Sequence, residues 1–213
     1  MEAGECFLIV GANGSGKTTL LRTLATLIEP SVGELEVMGI PLTGEGAGAQ
    51  EMWDARQRTA LLTHKLGLYE DLSASENLTI LSGLLGREPK VAEWLDTVGL
   101  QERPDPVRNY SAGMRKRLGF ARLLAQAPRL ALIDEPYGQL DPEGFRRTEA
   151  ILERLRAEGV TLVIASHLVE RAASYCDRAL LLDSGLPRWL GPARDITRAW
   201  TMLHTPAEPG LAG

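Results

Sequence analysis

Short apolar runs along the chain alternate with longer segments whose apolar residues recur every three or four positions. Short runs of this kind are typical of strands buried on both faces, and the longer segments have the period of amphipathic helices. Strands separated by helices predict an α/β fold, with a mainly parallel core sheet flanked by helices. The predicted strands lie at 6–10, 59–63, 130–133, 160–165 and 179–182.

The first predicted helix follows a glycine-rich turn and ends at Pro30, because proline cannot continue a helix. Its apolar face carries Leu20, Leu21, Leu24, Leu27 and Ile28. Alternating apolar and polar residues over 33–42 then predict a small hairpin. The glycine-rich stretch 43–50 predicts a flexible loop.

Three further helices are predicted in the middle of the chain. Ser73 and Glu76 have the spacing of a capping box, which begins a helix that runs through Leu85. The second helix ends at Gly99, and the third spans 111–127. The apolar faces of these last two helices carry Val91, Trp94, Leu95 and Val98, and Met114, Leu118, Ala121 and Ala125.

Two more helices are predicted in the second half of the chain. Asp141 is a good N-cap and Pro142 suits the first helical position, so a helix to about 157 is expected. The apolar face of the next helix carries Val169, Ala172, Ala173 and Cys176. We therefore expect a single domain over 1–213, with core segments 1–65 and 128–204.

The remaining parts of that domain are an insert and a tail. The helical stretch at about 66–127 is expected to form a helical subdomain inserted into the core. Residues 205–213 end in Pro-Gly-Leu-Ala-Gly and are expected to form a flexible tail.

The composition narrows the class of protein. Hydrophobic residues make up 44% and charged residues 24% of the 213 positions, which excludes a mainly disordered chain. A net charge of -5 gives no bulk electrostatic reason to bind nucleic acid, and none is expected as a partner. Cys6 and Cys176 form no metal-binding or redox pattern, and are expected to be small buried hydrophobes.

No membrane-spanning run or secretory signal is visible in the sequence. The longest apolar stretches fall short of the roughly 18 residues that a spanning helix needs. We therefore expect a soluble, cytoplasmic chain whose membrane role, if it has one, comes through a partner.

A phosphate-binding motif follows the first strand, in the pattern GxxxxGK[ST]. Glycines allow backbone N–H groups to approach phosphate oxygens, and the positive end of the following helix dipole favours the same anion. Lys17 is expected to bridge the β- and γ-phosphates, and Thr18 to bind Mg²⁺. The alternative is a simple tight turn, which would not require lysine and threonine. The candidate nucleotide-binding residues are Gly11, Ala12, Asn13, Gly14, Ser15, Gly16, Lys17, Thr18 and Thr19.

Two carboxylates end the strand at 130–133 and supply a second half of the site. Asp134 at the carboxyl edge of the sheet would lie beside the phosphate loop and hold Mg²⁺ through a water. Glu135 could polarise an attacking water as general base. An Asp-Glu pair on its own is more often a strand-end turn or a helix cap.

With these motifs the chain resembles, over essentially its whole length, the nucleotide-binding subunit of ATP-binding cassette (ABC) transporters. Between the two phosphate motifs lies the run Tyr110-Ser111-Ala112-Gly113-Met114. It matches the family signature Leu-Ser-Gly-Gly-Gln at Ser111 and Gly113, and departs from it at Ala112 and Met114. The resemblance implies that Ser111 and Gly113 contact the γ-phosphate of ATP bound to the opposite subunit. Ser111 is also an ordinary helix N-cap.

The resemblance extends to two later positions. Asp141 stands in a run like the family's D-loop, which crosses the dimer interface. His167 follows a strand, like the family's switch histidine near the γ-phosphate. The resemblance implies a homodimer, or a pair with another ABC subunit, in which Glu135 and His167 catalyse hydrolysis of ATP with Mg²⁺. A separate integral membrane subunit would hold the dimer at the inner face of the cell membrane.

Two features depart from the family pattern. His64 stands where the family has a glutamine, and imidazole is a poor ligand for Mg²⁺, which prefers oxygen. The family's upstream strand, with its adenine-stacking aromatic residue, has no counterpart before 6–10. Either translation starts upstream of Met1, or the protein holds adenine weakly and exposes a sheet edge. We expect weaker nucleotide binding than in a version of the chain extended upstream.

Within the family, the runs 68–78, 110–115 and 134–141 look most like the haem-exporter ATPase of cytochrome c maturation. Related exporter ATPases share parts of these runs, and no residue here recognises haem. Two other interpretations stay open, a different P-loop enzyme such as a small-molecule kinase, and a non-transport ABC-type module on ribosomes or DNA. A kinase would give no reason for Ser111 or His167, and the second class usually has two fused cassettes or basic arms.

Overall fold

A computed structural model describes residues 1–138 and 140–204 of the chain. Their central feature is a six-stranded sheet, whose strands lie in the order β4 (Thr59–Leu62), β5 (Leu130–Asp134), β6 (Thr161–Ala165), β1 (Cys6–Val10), β7 (Arg178–Asp183) and β8 (Leu186–Pro192). Neighbouring strands are parallel except for β8, which is antiparallel to β7. The sequence prediction of a mainly parallel α/β sheet is therefore confirmed. The predicted tail at 205–213 lies outside the described residues.

Five of these strands, β1 and β4 to β7, fall close to the predicted runs, and β8 has no predicted counterpart. A separate antiparallel pair, β2 (Glu36–Val37) with β3 (Ile40–Pro41), forms the small hairpin expected within 33–42. The strands are β1 (Cys6–Val10), β2 (Glu36–Val37), β3 (Ile40–Pro41), β4 (Thr59–Leu62), β5 (Leu130–Asp134), β6 (Thr161–Ala165), β7 (Arg178–Asp183) and β8 (Leu186–Pro192).

The helices connect and cover these strands, and short 3₁₀ turns lie at Val107–Asn109 and Ala193–Asp195. The α-helices are α1 (Lys17–Leu24), α2 (Ala49–Arg58), α3 (Ala74–Leu84), α4 (Val91–Thr97), α5 (Ala112–Gln126), α6 (Pro142–Ala157), α7 (Val169–Ala173) and α8 (Ile196–His204). Among the described residues, none of these helices is both long and apolar enough to cross a bilayer.

Both faces of the sheet are buried at the inner strands β1, β5 and β6, which explains why these strands are continuous apolar runs. Successive residues of β1 point to opposite faces, so Leu8 and Val10 join one apolar cluster and Ile9 joins the other. The second cluster includes Leu21 of α1 and Ala55 of α2. Residues of the other six helices belong to the first cluster.

The predicted caps form as the sequence indicates. Ser73 accepts a hydrogen bond from the Glu76 N–H, and the Glu76 carboxylate accepts one from the Ser73 N–H, so the capping box of α3 is complete. Asp141 accepts from the Gly144 N–H at 2.7 Å and caps α6. Helix α5 packs against both α3 and α4.

Several elements differ from the prediction. Helix α1 ends at Leu24, well before Pro30, so Leu27 and Ile28 lie beyond it and are 63% and 37% exposed rather than buried. The chain leaves the helix through Thr26, whose φ of 60° is left-handed. Helix α2 begins inside the stretch expected to be a loop. Strand β8 and helix α8 are additional elements, and α7 ends before Cys176.

The two cysteines are neighbours, which their sequence spacing does not reveal. The Sγ atoms of Cys6 and Cys176 are 3.0 Å apart, and both residues are free thiols. Cys6 is buried as expected, whereas Cys176 is only partly buried. The hydrogen bond with Cys6, together with burial, raises the pKa of the Cys176 thiol and keeps it protonated.

Candidate functional site

The phosphate loop connects the end of β1 to the start of α1. Gly11 follows β1, and a Cβ there would lie 2.3 Å from the Ser15 Oγ and 2.4 Å from the Leu182 carbonyl oxygen. Only glycine fits so close an approach. Gly14 and Gly16 have φ values of 83° and 103°, in the region that side chains rarely adopt. The close approach at Gly11 and the positive φ values at Gly14 and Gly16 therefore explain why the loop has glycine at these positions. Residues 12–14, at the tip of the loop, are exposed.

Lys17 lies beneath this loop. Its side chain is 7% exposed, and the Nζ donates to the carbonyl oxygens of Gly11 at 2.8 Å and Ala12 at 3.0 Å. The Ser15 Oγ is buried and has no hydrogen-bond partner. A buried ammonium and an unpaired hydroxyl within a loop at a helix N-terminus are groups that a bound anion would satisfy.

Thr18 joins this loop to the end of β5. Its Oγ1 donates to the Asp134 Oδ2 at 2.7 Å, across 116 residues of sequence. Asp134 is 6% exposed. The two side chains bring together a hydroxyl and a carboxylate, the kind of oxygen ligands that Mg²⁺ prefers. The donor set therefore fits a magnesium ion, with Thr18 and Asp134 as the residues that would hold it.

Glu135 and His167 are in direct contact. The Glu135 carboxylate accepts from the His167 N–H at 3.0 Å, and the His167 Nδ1 lies 2.8 Å from its other oxygen. Glu135 has a φ of 50°, which is unusual for a residue with a side chain. Its N–H donates to the Ala165 carbonyl at the end of β6, at 2.8 Å. The predicted catalytic pair is therefore brought together where β5 and β6 end side by side.

A buried lysine that the sequence analysis did not select also touches this strand end. The Lys116 Nζ donates to the Glu135 carbonyl oxygen at 2.8 Å and lies 3.4 Å from that of Asp134. Burial lowers the pKa of Lys116 to about 8, although Asp134 and Glu135 oppose the shift. A sequence signal exists, because Lys116 precedes Phe120 and Leu123 by four and seven residues, at the spacing of a second buried stripe on α5.

A cavity of about 710 Å³ lies beside these groups. His64, at the position where the family has glutamine, lines this cavity together with Lys116, Glu135 and His167. Arg115 of α5 is a further basic residue in the lining. The lining of the cavity thus combines the carboxylates of Asp134 and Glu135 with basic side chains. These basic residues are His64, Arg115, Lys116 and His167.

The residues predicted to act on a neighbouring subunit lie at two helix starts. The Ser111 Oγ accepts from the Met114 N–H at 3.2 Å and caps α5, and Ser111 is exposed. Gly113 is half-buried in the first turn of that helix, and Asp141, also exposed, caps α6. Both helix starts are therefore available at the surface.

Known proteins share this sequence pattern. The chain is 36% identical over 215 residues to an uncharacterized ABC transporter ATP-binding protein, all4389, from Nostoc sp., covering 97% of this chain and 62% of the relative. It is 34% identical over 211 residues to the methionine import ATP-binding protein MetN 1 of Burkholderia orbicola, covering 92% and 61%. The chain thus spans about three-fifths of the length of these curated relatives.

Solved structures share the fold. The dimeric structure of MJ0796, described as a bacterial ABC transporter cassette, superposes with a TM-score of 0.81 at 26% identity, covering 91% of this chain and 88% of that one. An ATP-binding subunit of an ABC transporter gives a TM-score of 0.82 at 25% identity, covering 94% and 84%. The family model described as ABC transporter matches residues 1–138, which is more than half of the sequence. The chain therefore belongs to the ABC transporter family, as an ATP-binding domain.

Proposed function

We propose that the chain binds and hydrolyses ATP and that it powers a separate integral membrane subunit. The observation that carries this proposal is the 2.7 Å hydrogen bond between Thr18 and Asp134. It joins the phosphate loop to the acidic strand end, so a triphosphate held by the loop would have its γ-phosphate beside Glu135. Membership of the ABC transporter family supports the same function.

Each side chain has a role that its environment supports. Lys17 would exchange its carbonyl partners for the β- and γ-phosphates, and Thr18 and Asp134 would hold Mg²⁺, which would neutralise phosphate charge. Glu135 would accept the proton of the attacking water, and His167 would orient the Glu135 carboxylate beside the γ-phosphate. Catalysis would come mainly from positioning and charge neutralisation.

The composite site would need a second subunit. Ser111, Gly113 and Asp141 would approach the nucleotide of the opposite chain in a homodimer or in a pair with another ABC subunit. Their exposed helix starts support this role, and the MJ0796 cassette is described as a dimer. In such a dimer the start of helix α5 would contact the nucleotide in one site. The phosphate loop of the same chain would hold the nucleotide in the other site.

The helices between 66 and 127 would form the helical subdomain, and its exposed face would receive the membrane subunit. The chain would lie peripherally at the inner face of the membrane through that partner. Of the two curated relatives reported above, MetN 1 is named as a methionine import protein, and neither is named as a haem exporter. They support a transporter subunit without supporting haem export, which stays a prediction from the three sequence runs.

Phosphate release from Mg·ATP, measured with no added acceptor, tests the activity. The Glu135→Gln variant should bind nucleotide within about threefold of the unchanged chain and should lose turnover by about 100-fold or more, because it lacks the base. Glu88→Gln, an exposed site with the same chemical change, is the matched control. Turnover that survives Glu135→Gln would remove Glu135 as the base. Release of ADP only in the presence of an acceptor would identify a kinase instead.

A further inference from the structure

Lys116 is a buried cation that the proposed chemistry does not use. It lies five residues after the Ser111 cap of α5 and is 7% exposed. Its ammonium donates to the Glu135 carbonyl oxygen at 2.8 Å, and the Asp134 carbonyl oxygen lies at 3.4 Å. Burying an ammonium costs free energy unless its donors find acceptors, so these two carbonyls account for where the side chain lies.

The contact falls on a strained residue. The φ of 50° at Glu135 is rarely adopted by a residue with a side chain and persists only where the surroundings fix it. Neighbouring groups hold Glu135 on three sides. Its N–H is bound to Ala165 of β6, its carboxylate to His167, and its carbonyl to Lys116 and the Gly138 N–H. Lys116 provides the charged contact on the carbonyl side.

Helix α5 is fixed where it carries this lysine. Gly119, less than one turn further along, lies so close to its neighbours that a Cβ there would be 2.7 Å from the Leu66 side chain and 2.8 Å from that of Leu62. The absence of a side chain at Gly119 lets α5 approach the end of β4 closely. The Lys116 side chain can therefore reach the ends of the strands beneath the helix.

We propose that Lys116 is a positioning residue that holds the backbone of Glu135 in the conformation from which its carboxylate can act as base. The proposal rests on the proposed function, because it gives Glu135 that role. It also ties the two sites of a dimer together. The helix whose start at Ser111 would contact one nucleotide is the helix that fixes the base for the other.

The test compares Lys116→Met, Lys116→Arg and the control Lys90→Met in steady-state ATP hydrolysis. Lys90 is exposed and loses the same charge. Lys116→Met should lower kcat about tenfold or more while KM changes less than about twofold, because the base moves and the phosphate loop does not. Lys116→Arg should recover most of kcat, since it keeps a charged donor. A loss of kcat matched by a similar rise in KM would overturn the proposal, as would an unchanged kcat.

A double variant separates positioning from a general structural effect. In a Glu135→Gln background, Lys116→Met should lower the residual single-turnover rate by less than about twofold, because it acts through a group already removed. A full additional loss would overturn the proposal. If Lys116→Met does not fold, Lys116→Gln takes its place and is compared with Lys116→Arg. Lys116→Gln should then show the loss of kcat at a nearly unchanged KM, and Lys116→Arg should recover most of kcat. Wild-type chain that releases no phosphate overturns the proposed function, whereas wild-type turnover with an unaffected Lys116→Met overturns the positioning role alone.

Discussion

The buried ammonium of Lys17 is the group of the phosphate loop that we expect to bind the phosphates of a nucleotide. It donates to two carbonyls of its own loop, so it is already dehydrated and needs little reorganisation to meet a phosphate. Lys17→Ala should weaken nucleotide binding about 10- to 100-fold, the value of a buried charge-assisted hydrogen bond. Titration with a fluorescent nucleotide measures this, with Lys90→Ala as the control for loss of an exposed charge. Normal binding by Lys17→Ala would contradict the phosphate-loop interpretation.

Single residues were predictable where a motif fixes both residue type and spacing. The sequence placed Thr18 and Asp134 at one Mg²⁺ site, and the structure brings them within hydrogen-bond distance. Lys116 was not selected, because a lysine in an amphipathic helix is normally solvated. Its spacing to Phe120 and Leu123 is a weak signal, and the packing of α5 over the strand ends is what buries it. The sequence could not reveal the left-handed conformation of Glu135, since no glycine marks that turn.

At the scale of elements, the capping box of α3 offers a direct stability test. Ser73→Ala removes the hydroxyl that accepts from the Glu76 N–H and should lower the free energy of unfolding at neutral pH by about 1 kcal/mol. Chemical denaturation measures this, with Ser31→Ala, the same change at an exposed loop position, as a comparison. A loss in Ser31→Ala as large as that in Ser73→Ala would show that the cap is not the cause.

The same cap has a pH dependence whose sign follows from Glu76. Hydrogen bonds from the Ser73 N–H and hydroxyl lower the pKa of Glu76 in the folded chain. A lowered pKa contributes stability above the ordinary pKa of a glutamate, and that contribution is lost as the pH falls through the lowered value. The difference in the free energy of unfolding between Ser73→Ala and the unchanged chain should therefore become smaller as the pH falls. A difference that stays constant down to the acid transition would contradict the coupling.

Helices and strands were predictable where the apolar periodicity is strong. They were less predictable where the periodicity is weak or where the residues that usually mark a boundary are missing. Helix α2 carries mostly charged and polar side chains, with Ala55 its buried residue, so its hydrophobic pattern is weak. Strand β8 contains two prolines, which argue against a central strand but are tolerated at the sheet edge that β8 occupies. Helix α1 ends through a left-handed Thr26, where the usual glycine signal is missing.

For the whole molecule, the strand order places the site. Strands β1, β6 and β5 are adjacent and parallel, so the turns that follow them meet at one edge of the sheet. These turns carry the phosphate loop, His167 and the Asp134–Glu135 pair. Ligands of open α/β sheets bind at this carboxyl edge. The predicted alternation of strands and helices was enough to bring these motifs to one edge, whereas the proposed roles of Ser111 and Asp141 depend on a second chain.

Mixing two inactive variants tests whether each site draws on two chains. Lys17→Ala disables the phosphate loop, and Ser111→Asp keeps a good cap on α5 while placing a negative charge where the γ-phosphate of the opposite chain would lie. Each variant alone should hydrolyse little ATP. In an equal mixture half of the dimers contain both chains, and each of these has one intact site, so about a quarter of wild-type turnover should return. Ser111→Asn, which caps without charge, should lose less activity than Ser111→Asp. A mixture no more active than the sum of its parts would mean that each chain works alone.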